Sequence, residues 1–279
     1  MYARGKIEIM SIQREAQTKL RPAGGDSAAL EAVDRATRVL FALAAQPFAS
    51  GLAEIAARAE LTKPTAFRIL ATLAASGYVS QNAETGAYRL GSGPLRLAAS
   101  VLRDIPVREP ALAAMGAVRD SVNESVVLSL RQRDYRYNID SVEAANAIGR
   151  AQQIGVAIPL YSGAASRAML AGLESEELLS YLTRVPLIAY SQTTIIDRDR
   201  LLQNLADVRA RGYAVSNGEF ASPGHAVAMA IRDPAGRAIA AIHVSAPRSR
   251  FSAKVEAACV AALGPAVKAI ESRLRETFE

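Results

Sequence analysis

The stretch from Gly51 to Leu90, GLAEIAARAELTKPTAFRILATLAASGYVSQNAETGAYRL, most constrains what this chain can fold into. Leu52, Ile55, Ala56 and Ala59 recur at helical spacing over barely two turns. A tight turn at Glu60-Leu61-Thr62 follows. The next helix opens with Thr62 or Lys63 as its cap and Pro64 in its first turn, where a missing N–H is tolerated. Ala66, Ile69, Leu70 and Leu73 form its apolar stripe, and Ser76-Gly77 ends it. Tyr78-Val79-Ser80 and Tyr88-Arg89-Leu90 then read as short strands around a turn at 82–86. Upstream, a helix from about Ser27 carries Val39, Leu40 and Leu43 and stops before Gln46-Pro47. Three short helices and a hairpin in so few residues describe a winged helix-turn-helix.

The helix after the turn has a core on one face and donors on the other: Lys63, Thr65, Arg68 and Thr72. A helix lying in the major groove reads base edges from its exposed N-terminal half and holds phosphates with neighbouring cations and hydroxyls. Arg68 suits a bidentate contact to guanine or a phosphate, and Lys63 and Thr65 suit phosphate. Arg89 on the wing is a further candidate, followed by Arg35 and Arg38 on the first helix. The competing reading of any one of these is a solvated surface cation.

Beyond Gly91 the pattern changes. GSGPLRLAASVLRDIP reads as a connecting helix, and a helix from about Glu109 to Val122 follows it. Strand-like runs (SVVLSLR, YRYNIDSV, AIGRAQQIGVAIPL) precede the small-residue helix SGAASRAMLAGL. DRDRLLQNLADVRARG is amphipathic, with Leu201, Leu202, Leu205 and Val208 as its stripe. AVAMAI and AIAAIHVS flank a turn at 233–236, and a last helix from about Ala253 carries a kink signal at Gly264-Pro265. The organisation expected is an α+β chain. It comprises a flexible arm (1–26), a winged helix-turn-helix domain (27–92), a linker helix (93–107) and a mixed α/β domain (108–279).

Bulk properties agree with two domains: 279 residues, half of them apolar, bury a substantial core. A net charge of +6 favours a polyanionic partner only weakly, because the basic residues are spread along the chain. The single cysteine, Cys259, excludes a disulfide framework and points to a reducing compartment. No apolar run has the ~18–20 residues of a membrane span, and MYARGKIEIM lacks a signal-peptide core, so a cytoplasmic protein with no membrane partner is expected.

In order and spacing, AVDRATRVLFAL, AEIAARAELTKPTAFRILATLAASGYV, the wing ending YRLG, RARGYAV and DPAGRAIAAIHVSAPRSR resemble the IclR family of bacterial transcriptional regulators over about residues 28–279. The resemblance implies a DNA-binding winged helix and a GAF-like effector-binding domain. It also implies a homodimer or homotetramer on a double-stranded operator, and a small-molecule effector, an organic or aromatic acid. On the recognition helix Lys63, Thr65 and Arg68 match, while Pro64 replaces the usual serine and Phe67 a common histidine. The implied effector positions are Ala164, Ala165, Asn217, Ala226, His243 and Ser245. Here Asn217 replaces an acid, Ala226 a cysteine and His243 a serine, which makes the pocket less acidic than usual. The bland reading of His243 is a satisfied core histidine, and that of His225 is a loop residue.

No cofactor, metal or catalytic site is expected. GSGPLR lacks the third glycine of a dinucleotide loop, and no phosphate-binding loop, HExxH or GxSxG occurs. Two histidines and one distant cysteine give no metal-ligand spacing. Cys259 reads as core, and Asp140 and Glu143 as surface or interface carboxylates. The alternative function is a small-molecule enzyme built on residues 109–279 with a regulatory DNA-binding domain. A third reading is a ligand-free DNA-bridging protein.

Overall fold

The computed structural model describes residues 28–45, 48–144, 154–220 and 224–278. The expected arm, the helix start at Ser27, the Gln46-Pro47 stop and the first half (147–153) of the strand-like run AIGRAQQIGVAIPL lie outside them. The described residues form two compact units, divided along the chain between Asp104 and Ile105.

In the first unit, α1 (Ala28–Ala44), α2 (Leu52–Ala59) and α3 (Lys63–Ala75) precede the hairpin β1 (Val79–Gln81) and β2 (Tyr88–Leu90). Val39, Leu43, Ile55, Ala59, Leu70, Val79 and Tyr88 form its core, with Ile69 and Leu73 packed at the margin. The turn between α2 and α3 is made by Glu60, whose φ of 55° places a non-glycine residue in the left-handed region. Thr62 caps α3 by accepting the amide of Thr65 at 3.4 Å. α4 (Ser92–Arg103) begins against the hairpin, where the Gly91 amide donates to the Tyr78 carbonyl at 2.8 Å. Glycine is needed there, because a Cβ on Gly91 would lie 2.4 Å from the Gly77 carbonyl oxygen.

The second unit is built on an antiparallel sheet of order β5-β4-β3-β8-β7-β6. Its strands are β3 (Ser125–Gln132), β4 (Tyr135–Val142), β5 (Ala157–Pro159), β6 (Ala214–Asn217), β7 (Gly224–Arg232) and β8 (Ala238–Pro247). Because side chains alternate along strands, the sheet has two unlike faces. Val126, Leu128, Val227, Ile231, Ile242 and Val244 face α5 (Arg108–Val122) and α9 (Ala253–Phe278) in one core. The other face is alanine-rich, with Ala214, Ala228 and Ala241 packed under α6 (Ala164–Ala171), α7 (Ser175–Arg184) and α8 (Arg198–Arg211).

One expectation changes. Leu202 is exposed while Leu201, Leu205 and Val208 are buried, so the stripe of α8 is narrower than its sequence suggests. The last helix, as expected, runs on from Ala253 with Pro265 inside it. Cys259, Leu263, Ile270 and Leu274 are buried on both sides of the proline. At about 1.5–3 kcal/mol for each large side chain, their burial outweighs the ~3 kcal/mol an interior proline costs.

Candidate nucleic-acid and effector sites

On α3 the burial follows the helical period. Ala66 and Leu70 are fully buried, while Lys63, Phe67, Arg68 and Thr72 are exposed. Thr65 is half-buried, and its hydroxyl meets that of Thr62 at 2.9 Å. Among the described residues neither Lys63 nor Arg68 has an acidic partner. Arg35 and Arg38, by contrast, are engaged by Glu31 and Asp34 one turn earlier. Arg89 is exposed on the wing, opposite Ser80, whose Oγ accepts its Nε–H at 3.1 Å. That leaves the outer nitrogens of the Arg89 guanidinium as its reach toward a partner.

In the second unit a polar cluster interrupts the alanine-rich face. Cross-strand register sets Val127, His243 and Ala228 in one row, and Ser125, Ser245, Ala226 and Ser216 in the next. The alanines let α6 approach, so Ala164 and Ala165 are buried in its first turn above these rows. His243 is 4% exposed, and its Nδ1 has no hydrogen-bond partner among the described residues. Burial, aided by the nearby Arg136 cation, holds its imidazole neutral by lowering its pKa well below the usual range. Asn217 pairs with His225, one residue out of phase with Ser216, and is exposed, so it does not join this face.

Two arginines define the cluster. Arg136 donates from Nε to Ser166 Oγ at 2.8 Å and from Nη1 to Ser129 Oγ at 3.1 Å and to Asn138 Oδ1. Burial lowers its pKa to about 10. Arg167 pairs with Glu219, which also accepts the Gly163 amide at 3.1 Å. Gly163, with φ of 90°, sets that amide at the start of α6.

Two family models match, covering nearly the whole described chain. The bacterial transcriptional regulator IclR C-terminal model spans residues 99–272, and the IclR helix-turn-helix model spans 32–83. The chain belongs to the IclR family. It is a helix-turn-helix DNA-binding transcriptional regulator with a C-terminal effector-binding domain. The HTH-type transcriptional repressor AllR of Escherichia coli is 28% identical over 222 residues, covering 80% of this chain and 82% of AllR. The IclR-type regulator from Alicyclobacillus acidocaldarius superposes with a TM-score of 0.76 at 28% identity, covering 88% and 98% of the two chains. An IclR homolog from Microbacterium hydrocarbonoxydans, crystallised with 4-hydroxybenzoate, shares the fold at 24% identity and a TM-score of 0.73, with 88% and 99% covered.

In this IclR-family chain the remaining sequence candidates have structural partners. Asp140 pairs with Arg108 at 2.6 Å, and Glu143 accepts from Ser125 and Ser141. Cys259 is fully buried, and burial pushes its thiol up to about 11. His225 stacks on Phe251 with ring centroids 4.6 Å apart, away from His243. No cluster of metal-ligating side chains is found among the described residues, and none of their helices is long and apolar enough to cross a membrane. A recess of about 440 Å³, lined by Tyr213, Glu256, Ala257 and Val260, belongs to the α9 side of the sheet and not to the polar cluster.

Sequence reasoning missed Arg136, Ser129, Asn138 and Ser166. The one available signal was the alternation Arg136, Asn138 along YRYNIDSV, which puts two polar residues on a single strand face.

Proposed function

We propose that this regulator seats α3 in the major groove of a pseudo-palindromic operator as a homodimer or homotetramer. Arg68 reads a base or clamps a phosphate there, Lys63 and Thr65 hold phosphates, and Arg89 reaches out from the wing. The observation that carries this reading is the pair of exposed cations, Lys63 and Arg68, without acidic partners among the described residues, on the outer face of a helix whose inner face is buried. The effector, a small organic acid, binds over the sheet face built from Ala164, Ala165, Ala226, His243 and Ser245. Residues 93–107 carry its effect to the paired recognition helices. A coupling of about 1–3 kcal/mol suffices for a change of several-fold to over a hundredfold in operator occupancy. The protein works in the cytoplasm and is not an enzyme.

Selection of bound fragments from random-sequence duplexes by the purified chain, followed by affinity measurement against salt, tests the DNA half of the reading. Enrichment of an inverted repeat supports it, and binding that shows no sequence preference overturns it. A thermal-shift screen with short-chain and aromatic carboxylic acids tests the effector half. A ligand at about a hundred times its Kd adds about 2.7 kcal/mol of stability.

A further inference from the structure

Among the described residues the buried arginine of β4 has no counter-ion. Arg136 is 6% exposed, and every partner of its guanidinium given above is neutral: Ser129, Asn138 and Ser166. Carboxylates of the same unit are committed elsewhere, Asp134 to Arg184 among them. Glu219 holds Arg167, Asp140 holds Arg108, Glu177 holds Arg131, and Glu143 takes hydroxyl protons from Ser125 and Ser141. A buried cation with only neutral partners is costly, and such groups are ordinarily paired. Its Nη2, which none of the three neutral partners engages, lies at the start of α6, 3.8 Å from where a Cβ on Gly163 would sit. The imidazole of His243, close enough to feel the guanidinium charge, is also buried, and among the described residues its Nδ1 has no hydrogen-bond partner. An excess positive charge and a ring nitrogen without a hydrogen-bond partner among the described residues thus share one small-residue face of the sheet.

We propose that Arg136 is the charge-recognising anchor of this regulator: the anionic group of its effector, a carboxylate, docks on the Arg136 guanidinium, with a second oxygen of the ligand meeting His243. This rests on reading the second unit as the effector-binding domain. It adds the residue that makes the domain prefer an acid to its amide. The alanines and the first turn of α6 then supply shape, while Arg136 supplies charge selection. Ser129, Asn138 and Ser166 hold the guanidinium in place without neutralising it, which leaves its charge for the ligand.

The test uses the full chain, with acetate, benzoate and 4-hydroxybenzoate as probes, acetamide and benzamide as neutral controls, and ionic strength held constant. Thermal unfolding and titration calorimetry are run on the wild type, Arg136→Met, Arg136→Gln and Arg136→Lys. At least one acid should stabilise the wild type while its amide does not. Affinity for that acid should fall about ten- to a hundredfold in the Met and Gln variants and recover in part with Lys, as expected for loss of a charged hydrogen bond. Without ligand, Arg136→Met should unfold no lower than the wild type, because an unpaired buried charge has been removed. If acids stabilise wild type and Arg136→Met alike, the anchor is overturned and the acid pocket survives. If no acid shifts the wild type, the acid-effector reading falls with it. If Met and Gln both lower the ligand-free melting temperature by several degrees, Arg136 is a structural residue and the proposal is overturned.

Discussion

Glu219 holds two elements at once: its carboxylate takes the Arg167 guanidinium of α6 and the amide of Gly163, where that helix begins. Its backbone carbonyl accepts from Ser162 at 3.2 Å and from Thr194 at 2.7 Å. The ion pair is almost wholly buried, with 1% and 7% of the two side chains exposed. Burial, with a contribution from Arg211, lowers the Arg167 pKa to about 10. Removing one partner leaves the other charge stranded, which typically costs about 3–5 kcal/mol. Glu219→Gln and Arg167→Met should therefore each lower the midpoint of denaturant unfolding markedly. The double variant should lose less than the sum of the two. Strict additivity in that cycle would show that the pair is not coupled.

The DNA-facing helix offers a cleaner separation of binding from folding. Arg68 is exposed and makes no contact that the first unit's core depends on. Arg68→Ala should reduce affinity for the selected operator by about 1–3 kcal/mol, with melting temperature unchanged. Lys63→Ala should weaken binding evenly across sequences and reduce the salt dependence by about one phosphate contact. Equal operator affinity for wild type and Arg68→Ala in a salt-controlled shift assay would remove Arg68 from the interface.

Thr62 tests the turn itself. Its hydroxyl is the cap of α3, and its loss should cost the first unit about 1 kcal/mol, a small fall in melting temperature, with Thr62→Asn restoring most of it. A Thr62→Ala chain as stable as wild type would mean that packing alone fixes the start of α3.

These predictions draw unequally on what the sequence makes legible. The winged helix is readable because its determinants are local. A capping threonine, a proline in the first turn and a 3.6-residue stripe all lie within fifteen residues, and Ala66 and Leu70 are buried where the period puts them. The polar cluster is not readable in that way. Arg136 looks like the solvated half of an alternating strand until α6, contributing Ser166 thirty residues later, closes over it. Its burial is a property of the layering. Likewise Asn217 is near the site in sequence pattern but one residue out of phase in the sheet, and a single step turns a side chain to the other face. The family resemblance named His243 and Ser245, which lie in adjoining rows of one face, and it left the charge beside them unmentioned.

The pH dependence of folding isolates His243. Burial and the Arg136 charge keep its imidazole neutral in the folded chain, with a pKa well below 6.5. The unfolded chain titrates near the ordinary value of about 6.5. Above that pH both states carry a neutral ring, and the group contributes nothing to the pH dependence. As pH falls through about 6.5 the unfolded state takes up a proton that the folded state refuses. Folding stability then declines, at most by about 1.4 kcal/mol per pH unit, until the folded pKa is reached. His225, also lowered by burial and by Arg248, adds a contribution of the same sign. Denaturant unfolding between pH 7.5 and 5.5 should show this decline in wild type and a shallower one in His243→Asn, while His225→Asn should retain the larger part. An identical slope in wild type and His243→Asn would mean that the imidazole reaches solvent and protonates in the folded state. Acid effectors would then meet a cation at His243 in weakly acidic solution instead of a neutral ring.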